Sequence, residues 1–324
     1  MKAPQGLLHL LAGIAFGCLA MSAASADTYP SRTVKIISPT APGGPTDLVA
    51  RLLADKLSTM WGQQVIVENR AGAGHMIGTD AAAKAAPDGY TFVVVTTPHV
   101  TNPAMQSKMN FDPVKDFTPV SLIASLPVVL VVTPALPVTN VKDLIAHAKA
   151  RPGALRVASA GNATGPHLAA ALFQQMAGVE FQHIPYKGGP QATTAVMSGE
   201  VELYFDSPAS ALPQIQAGKL KGLGTTGLKR PAAAGNLPTI AETVPGFSFD
   251  VWNGLLAPAG LPPDILAKVN KDVVAVLAMP DVKAKLEALM FEPRGTTPQE
   301  LGKLIDGELV RWAKIIKDGN IRAE

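Results

Sequence analysis

The feature that most constrains this chain is an alternation. Short runs of β-branched and apolar residues each give way to a loop rich in Gly, Pro, Ser, Thr and Asn, and then to a segment with helical spacing. That order builds parallel sheets with helices on both faces, because a strand returning parallel to its predecessor needs a crossover. Residues 34–37 form the first strand and run into a loop that cannot be helical before Pro45, a residue suited to a helix's first turn. Leu48, Leu52, Leu53, Leu57 and Met60 predict the next helix and its buried stripe, with Gly62 as its stop. The unit then repeats as strand 65–67, helix 77–86 and strand 90–97.

The stretch 119–134 is apolar, marked by prolines and longer than one ordinary strand needs, so it is read as a crossing from a first lobe to a second. Second-lobe strands are expected at 155–159, 181–186, 201–205 and 220–225, with helices near 166–177, 190–198 and 208–217. Residues 247–256 return the chain to the first lobe. The tail is expected to add helices at 264–277, 282–290 and 298–317, with an extended piece at 291–293, all packed on that lobe. The expected division is therefore 27–126 plus 248–324 for lobe 1 and 127–247 for lobe 2. No repeat or low-complexity tether separates them.

Residues 1–26 have the layout of a cleavable secretory signal: Lys2, an apolar run from Leu7 to Met21, and Ala24-Ser25-Ala26 where a signal peptidase reads small residues. The apolar run is short of the roughly 20 residues a bilayer span needs. Cleavage after Ala26 and soluble export to the periplasm are expected. The only cysteine, Cys18, lies within the leader, so the mature chain has no thiol for a disulfide or a Cys-ligated metal. Cleavage removes Lys2 from 28 basic residues and leaves the 25 acidic ones, a near balance that argues against nucleic acid as a partner. With 47% hydrophobic and only 16% charged residues the chain can bury sizeable sheets.

Four loops at strand ends are candidates for chemistry: 40–47, 96–102, 159–167 and 186–190. In open α/β sheets ligands sit beyond the carboxyl ends of strands. The helices that follow offer unpaired N–H groups and partial positive charge, so an anion can be held without an arginine. The bland alternative for each loop is a tight turn whose glycines permit positive φ. Gly72-Ala73-Gly74-His75-Met76-Ile77-Gly78 has the wrong spacing for a dinucleotide fingerprint and does not leave a strand directly. There is no Gly-x-Ser-x-Gly elbow, and His75, His99, His147, His167 and His183 form no short metal-binding cluster, so neither a metal site nor any cofactor is expected, and a periplasmic hydrolase stays only as a less favoured rival that the appearance of a product would reveal. His147, beside Lys149 on a helix, reads as solvated. His167 opens a helix and could donate to an anion or simply pack. Asp206, at a strand end, could order water or hold a ligand's ammonium or hydroxyl, or could cap the helix near Pro208.

Pro39-x-Ala41-Pro42-Gly43-Gly44-x-Thr46-Asp47, Val67-Glu68-Asn69-Arg70-x-Gly72-Ala73-Gly74, Ala86-Pro87-Asp88-Gly89-Tyr90-Thr91 and Asp112-Pro113-Val114-x-Asp116-Phe117 resemble the receptors of tripartite tricarboxylate transporters, the Bug-type extracytoplasmic solute receptors. Ala158-Ser159-Ala160-Gly161-Asn162, Pro185-Tyr186-Lys187-Gly188, Phe205-Asp206 and Gly254-Leu255-Leu256-Ala257-Pro258-Ala259-Gly260 continue the match in order. The resemblance implies a type II periplasmic-binding-protein fold, two Rossmann-like α/β lobes joined by two crossing strands. It also implies a receptor that binds a small carboxylate, whether a di- or tricarboxylate, an aromatic carboxylate or an amino acid, through backbone groups and ordered water and serves the membrane subunits of such a transporter; the chain is expected to act as a monomer and not as an enzyme. A sensor signalling to a membrane kinase would share the site. The candidate contacts are Thr40, Ala41, Pro42, Gly43, Gly44 and Asp47 in the first loop, and Thr97 in the second. Ser159, Gly161, Asn162, Ala163, Thr164 and His167 in the third, Lys187 in the fourth, and Asp206 complete the set. Ala163-Thr164-Gly165-Pro166 departs from the glycine-and-serine-rich run of many members, leaving open which hydroxyl replaces the family's serine. Thr40 stands where phenylalanine is common. If amides after Gly43 and Gly161 are the donors, a side chain at Gly44 should block the ligand or twist the loop, whereas Lys187 at the rim should matter little.

Overall fold

The computed structural model describes residues 29–105, 109–162, 164–230, 234–319 and 321; the expected leader with Cys18, and Ala163, lie outside them. The chain opens with β1 (Val34–Ser38), α1 (Pro45–Trp61), β2 (Val65–Asn69), α2 (Met76–Ala83), β3 (Thr91–Val95), α3 (Pro98–Met105) and β4 (Phe117–Pro127). It crosses into β5 (Val129–Val132), α4 (Val141–Ala150), β6 (Leu155–Ser159), α5 (Gly165–Ala177), β7 (Phe181–Pro185), α6 (Gly189–Ser198), β8 (Leu203–Asp206), α7 (Pro208–Gln216) and β9 (Lys221–Thr225). It returns as β10 (Asp250–Pro258), α8 (Pro263–Ala278), α9 (Pro280–Ala288), β11 (Glu292–Pro293) and α10 (Pro298–Asp318).

Two sheets result, ordered β11-β4-β10-β3-β1-β2 and β7-β6-β8-β5-β9. The pairs β1–β2, β1–β3, β6–β7 and β6–β8 are parallel, as the alternation predicts. Each sheet also contains a reversed strand. β10 lies antiparallel between β3 and β4, and β5 lies antiparallel between β8 and β9. Each is the strand that has just arrived from the other lobe, so it enters its sheet from the cleft side and runs against its neighbours.

The crossing is short and firmly tied. Only Val128 separates β4 from β5; its N–H donates to Thr226 Oγ1 at 2.8 Å, and Thr226 N–H donates to Val128 O at 2.9 Å. Phe249 N–H donates to Thr226 O at 3.0 Å, and the β10–β4 ladder begins with Asp250 opposite Pro127. The tail helices lie on the first sheet's side, α8 against α1 and β4, α10 against β4 and α3. The end of α10 also reaches the second lobe, where Gln175 Nε2 donates to Asp318 Oδ2 at 3.2 Å.

Two local expectations change. On α1 the buried seam is Val49, Ala50, Leu53, Ala54 and Leu57, while Leu48 and Met60 are each 38% exposed. The helix is turned because its first residues, Thr46 and Asp47, must also be buried, and Ala50 and Ala54 let it lie close to the sheet. The segment 96–102, expected as an open loop, is helical from Pro98. His99 N–H donates to Thr96 O at 2.8 Å and Thr101 N–H to Thr97 O at 3.2 Å, and a proline at the first position gives up no bond.

Candidate ligand-binding site

A cavity of about 500 Å³ lies between the lobes. Its first wall is Pro45, Thr46, His75, Thr96, Thr97 and Pro98 from lobe 1. The opposite wall is Thr164, Gly165, Pro166, Gly189, Pro190, Tyr204, Asp206, Ser207 and Ser210. Leu126, Val128 and Val251 of the crossing segments and Phe291 close it with an apolar belt. Both sheets aim the carboxyl ends of their parallel strands at this space, which is why strand-end residues meet there.

Helix N-termini dominate the walls. α1, α3, α5, α6 and α7 all begin at the cavity with a proline in or beside the first turn. At α1, α5 and α6 the N-cap residues are Gly44, Thr164 and Gly188, and no side chain caps the first-turn N–H groups. Thr164 instead turns its hydroxyl back to donate to Gly161 O at 2.8 Å. α7 has a local acceptor, Ser207 Oγ, 3.4 Å from Ser210 N–H. Uncapped amides with the aligned peptide dipoles behind them make an anion site. No Lys or Arg lines the cavity among the described residues. Thr97 Oγ1 is buried in the wall without a hydrogen-bond partner, an arrangement that costs free energy until a ligand or water supplies one.

Each lobe buries a carboxylate at the site, Asp47 behind the first wall and Asp206 within the second. Asp47 Oδ2 accepts from Gly43 N–H at 2.8 Å and Arg51 Nε at 2.9 Å, and Oδ1 accepts from Asn69 Nδ2 at 2.7 Å. Burial pushes this acid up, but Arg51, Gly43 and Asn69 together outweigh it and hold Asp47 below the usual carboxylate range. Asp206 has no cation paired with it among the described residues. Its Oδ2 accepts from Thr193 Oγ1 at 2.8 Å and its Oδ1 from Ser207 N–H at 2.7 Å. Burial dominates there and raises its pKa, with Thr193, Ser210 and Ser207 opposing. Burial and the nearby Asp206 also raise the Tyr204 phenol, so it stays a neutral hydroxyl in the wall.

Of the residues singled out by sequence, Thr97, Thr164 and Asp206 line the cavity. The others stand behind or beside it. Thr40, 3.0 Å from Ser38 Oγ through its hydroxyl, and Ala41, Pro42, Gly43, Gly44 and Asp47 make the loop that delivers α1. The Gly43 amide is already taken by Asp47 and the Gly161 amide by Ser159 Oγ at 3.2 Å, so the unclaimed donors are the helical first turns that follow. Gly43 needs its φ of +80°. At Gly44 a Cβ would meet only Ala41 O at 3.5 Å, so the protein itself leaves room for a side chain there. Asn162 is half-buried beside Gly161. His167 turns away and stacks on His183 with ring centres 3.7 Å apart, facing a second cavity toward α10; burial, with His183 adding, pushes it down to about 4. Lys187 is exposed and lines neither cavity.

The wall residue least visible in the sequence is His75. Ala73, Gly74 and His75 have φ of +47°, +61° and +75°, one left-handed turn. Left-handed backbone costs a non-glycine residue roughly 1–2 kcal/mol. Asn102 Nδ2 donates to Gly74 O at 2.8 Å and Thr79 Oγ1 to His75 O at 3.0 Å, and these bonds hold the turn. The flanking Gly72 and Gly74 were its only sequence signal.

The chain matches the family described as the tripartite tricarboxylate transporter family receptor over residues 49–321. It is 36% identical to the protein BugT of Bordetella pertussis, over 97% of this chain and 95% of that one. The structure of R. palustris Rpa4515 with adipate is 38% identical, with a TM-score of 0.76, covering 91% of this chain and 99% of that one. MatC (Rpa3494) from Rhodopseudomonas palustris, solved with bound malate, is 32% identical with a TM-score of 0.71, covering 89% and 100%.

Proposed function

Since this chain belongs to the tripartite tricarboxylate transporter receptors and has their two-lobed periplasmic-binding-protein fold, we propose that it captures a small carboxylate between its lobes and passes it, unaltered, to the membrane subunits of such a transporter. The observation that carries this reading is the set of uncapped helix N-termini, joined by the unpartnered Thr97 hydroxyl, around a cavity that no Lys or Arg lines among the described residues. One relative was solved with adipate and another with malate, which supports a carboxylate as the ligand class. Residues 1–26 act as the export signal, and the lobes divide near 126/127 and 247/248, so closure is a hinge about Val128 and the start of β10. First-turn amides of α1, α5 and α6, with Thr97 and Thr164, are the contacts; Asp47 and Asp206 position the loops that present them.

Native mass spectrometry of protein purified without denaturation, then calorimetry against adipate, malate, benzoate, citrate and glutamate, tests this. One equivalent of a panel member should bind and be recovered unchanged. Thr97→Val should weaken that binding about tenfold by removing a donor, yet stabilise the empty protein by up to about 1 kcal/mol by deleting a buried, unpaired hydroxyl. Conversion of a panel member, or binding of cations in place of anions, would overturn the reading.

A further inference from the structure

We propose that His75 is a specificity-determining residue of the inter-lobe cavity: its imidazole takes a proton from solvent as the carboxylate enters and so supplies the cation that the rest of the wall lacks. The inference rests on the carboxylate-receptor reading and deepens it. Three observations meet at this residue. His75 belongs to the wall, with Nδ1 3.5 Å from Thr96 Oγ1 of the same wall. It occupies a left-handed position, φ +75°, that glycine would fill without strain, so an imidazole is kept there against a backbone cost. Among the wall's side chains it is the one that can become positive near neutral pH.

The groups around it leave that role open. On α3, His99 is turned away, its Nε2 2.9 Å from Pro113 O and its ring against Phe111 and Phe117. Asp47 is paired with Arg51, and Arg70 with Glu68. Across the cavity lie Tyr204 and Asp206, the latter bonded to Thr193 and Ser207. Burial lowers the His75 pKa in the empty protein, so the ring waits neutral. A carboxylate arriving beside it favours the charged form and raises that pKa. The sign follows: affinity is greatest below the empty-state pKa and falls as pH rises through the ligand-bound one, by at most about tenfold per pH unit.

The experiment uses the tightest-binding member of the five-acid panel, with calorimetry from pH 5.5 to 8 in buffers of differing ionisation enthalpy. Wild type should take up a proton on binding, at most one per carboxylate, and its Kd should weaken as pH rises. His75→Asn, which tolerates the left-handed backbone but does not titrate, should bind about tenfold more weakly at pH 6 with no proton uptake. His75→Gly should behave alike while melting no earlier than wild type, which separates loss of the ring from collapse of the turn. The His75 C2–H resonance, assigned by its loss in His75→Asn, should titrate at higher pH with the acid bound. Wild-type binding without proton uptake, or an unchanged pH slope in both variants, overturns the role of His75 and leaves the receptor reading standing. If no panel acid binds wild type, both fall together.

Discussion

The two lobes solve one problem in opposite ways. Each buries a carboxylate at its helix-terminus wall, Asp47 behind the wall of lobe 1 and Asp206 within that of lobe 2, neither more than 2% exposed. Asp47 is given a cation, Arg51, and two further donors, and its charge is held firmly. Asp206 is given a hydroxyl and an amide but no cation, and burial prevails over them. The difference shows that a buried acid's environment, rather than its depth, decides whether its charge supports the fold. It also separates two tasks: lobe 1 fixes a glycine loop with a cation on its carboxylate, whereas lobe 2 joins α6 to the start of α7 through uncharged donors.

Asp47→Asn should break this comparison most strongly. The new amide would set donors against Gly43 N–H and Arg51, and the loop would lose its charged anchor, at a cost of about 3 kcal/mol in unfolding free energy by urea titration. The pH dependence should follow. Because Asp47 is depressed in the folded state, its contribution is present above the unfolded pKa of about 3.9 and lost as pH falls through the folded value. The variant should therefore show a shallower acid limb than wild type. A cost below about 1 kcal/mol, or an unchanged acid limb, would remove the claim that charge holds this loop.

Asp206→Asn should be far milder, within about 1 kcal/mol of wild type at pH 7. Asn keeps an acceptor for Ser207 N–H, and the Thr193 hydroxyl can donate instead to Gly189 O, already 3.0 Å away, while accepting from the new amide. The sign of the pH effect reverses. A raised folded pKa gives stability that is fully present below the unfolded pKa and lost as pH rises through the folded one, so wild type should gain on the variant as pH is lowered. Equal costs for Asp47→Asn and Asp206→Asn would erase the distinction between the lobes.

The sequence reveals the architecture better than the wall of the cavity, for identifiable reasons. Strand-end loops and the proline-marked crossing at 119–134 are local signals, and they lead to β4, Val128 and β5. The face of α1 is not local: the leucine stripe points one way, but burial of Thr46 and Asp47 turns the helix another. Glycines and prolines locate the loops that reach the cavity, yet Gly43 and Gly161 spend their amides inside those loops. Val251 and Phe291 reach the wall because the chain returns from lobe 2; the return at 247–256 is legible, but which of its side chains face the cavity is not. His75 escapes because an alanine and a histidine conceal a left-handed turn that two glycines only hint at.

The smallest effect tests whether lobe 2 truly lacks a cation. Lys187 follows β7 in the loop that leads to Gly188 and α6, and it is the fixed positive charge within reach along the chain. Its ammonium is exposed, its backbone N–H donates to Gln191 Oε1 at 3.1 Å, and no ion pair joins it to Asp206 among the described residues. An exposed charge outside the wall acts through water and is screened over roughly 10 Å at 0.1 M salt. Lys187→Met should therefore weaken carboxylate binding no more than about threefold, and raising salt from about 0.05 to 0.5 M should abolish even that difference. His75→Asn supplies the contrast, since its larger loss arises inside the cavity and should survive the salt. A hundredfold loss in Lys187→Met would mean that lobe 2 holds its ligand by an ion pair after all. The two lobes would then share one strategy.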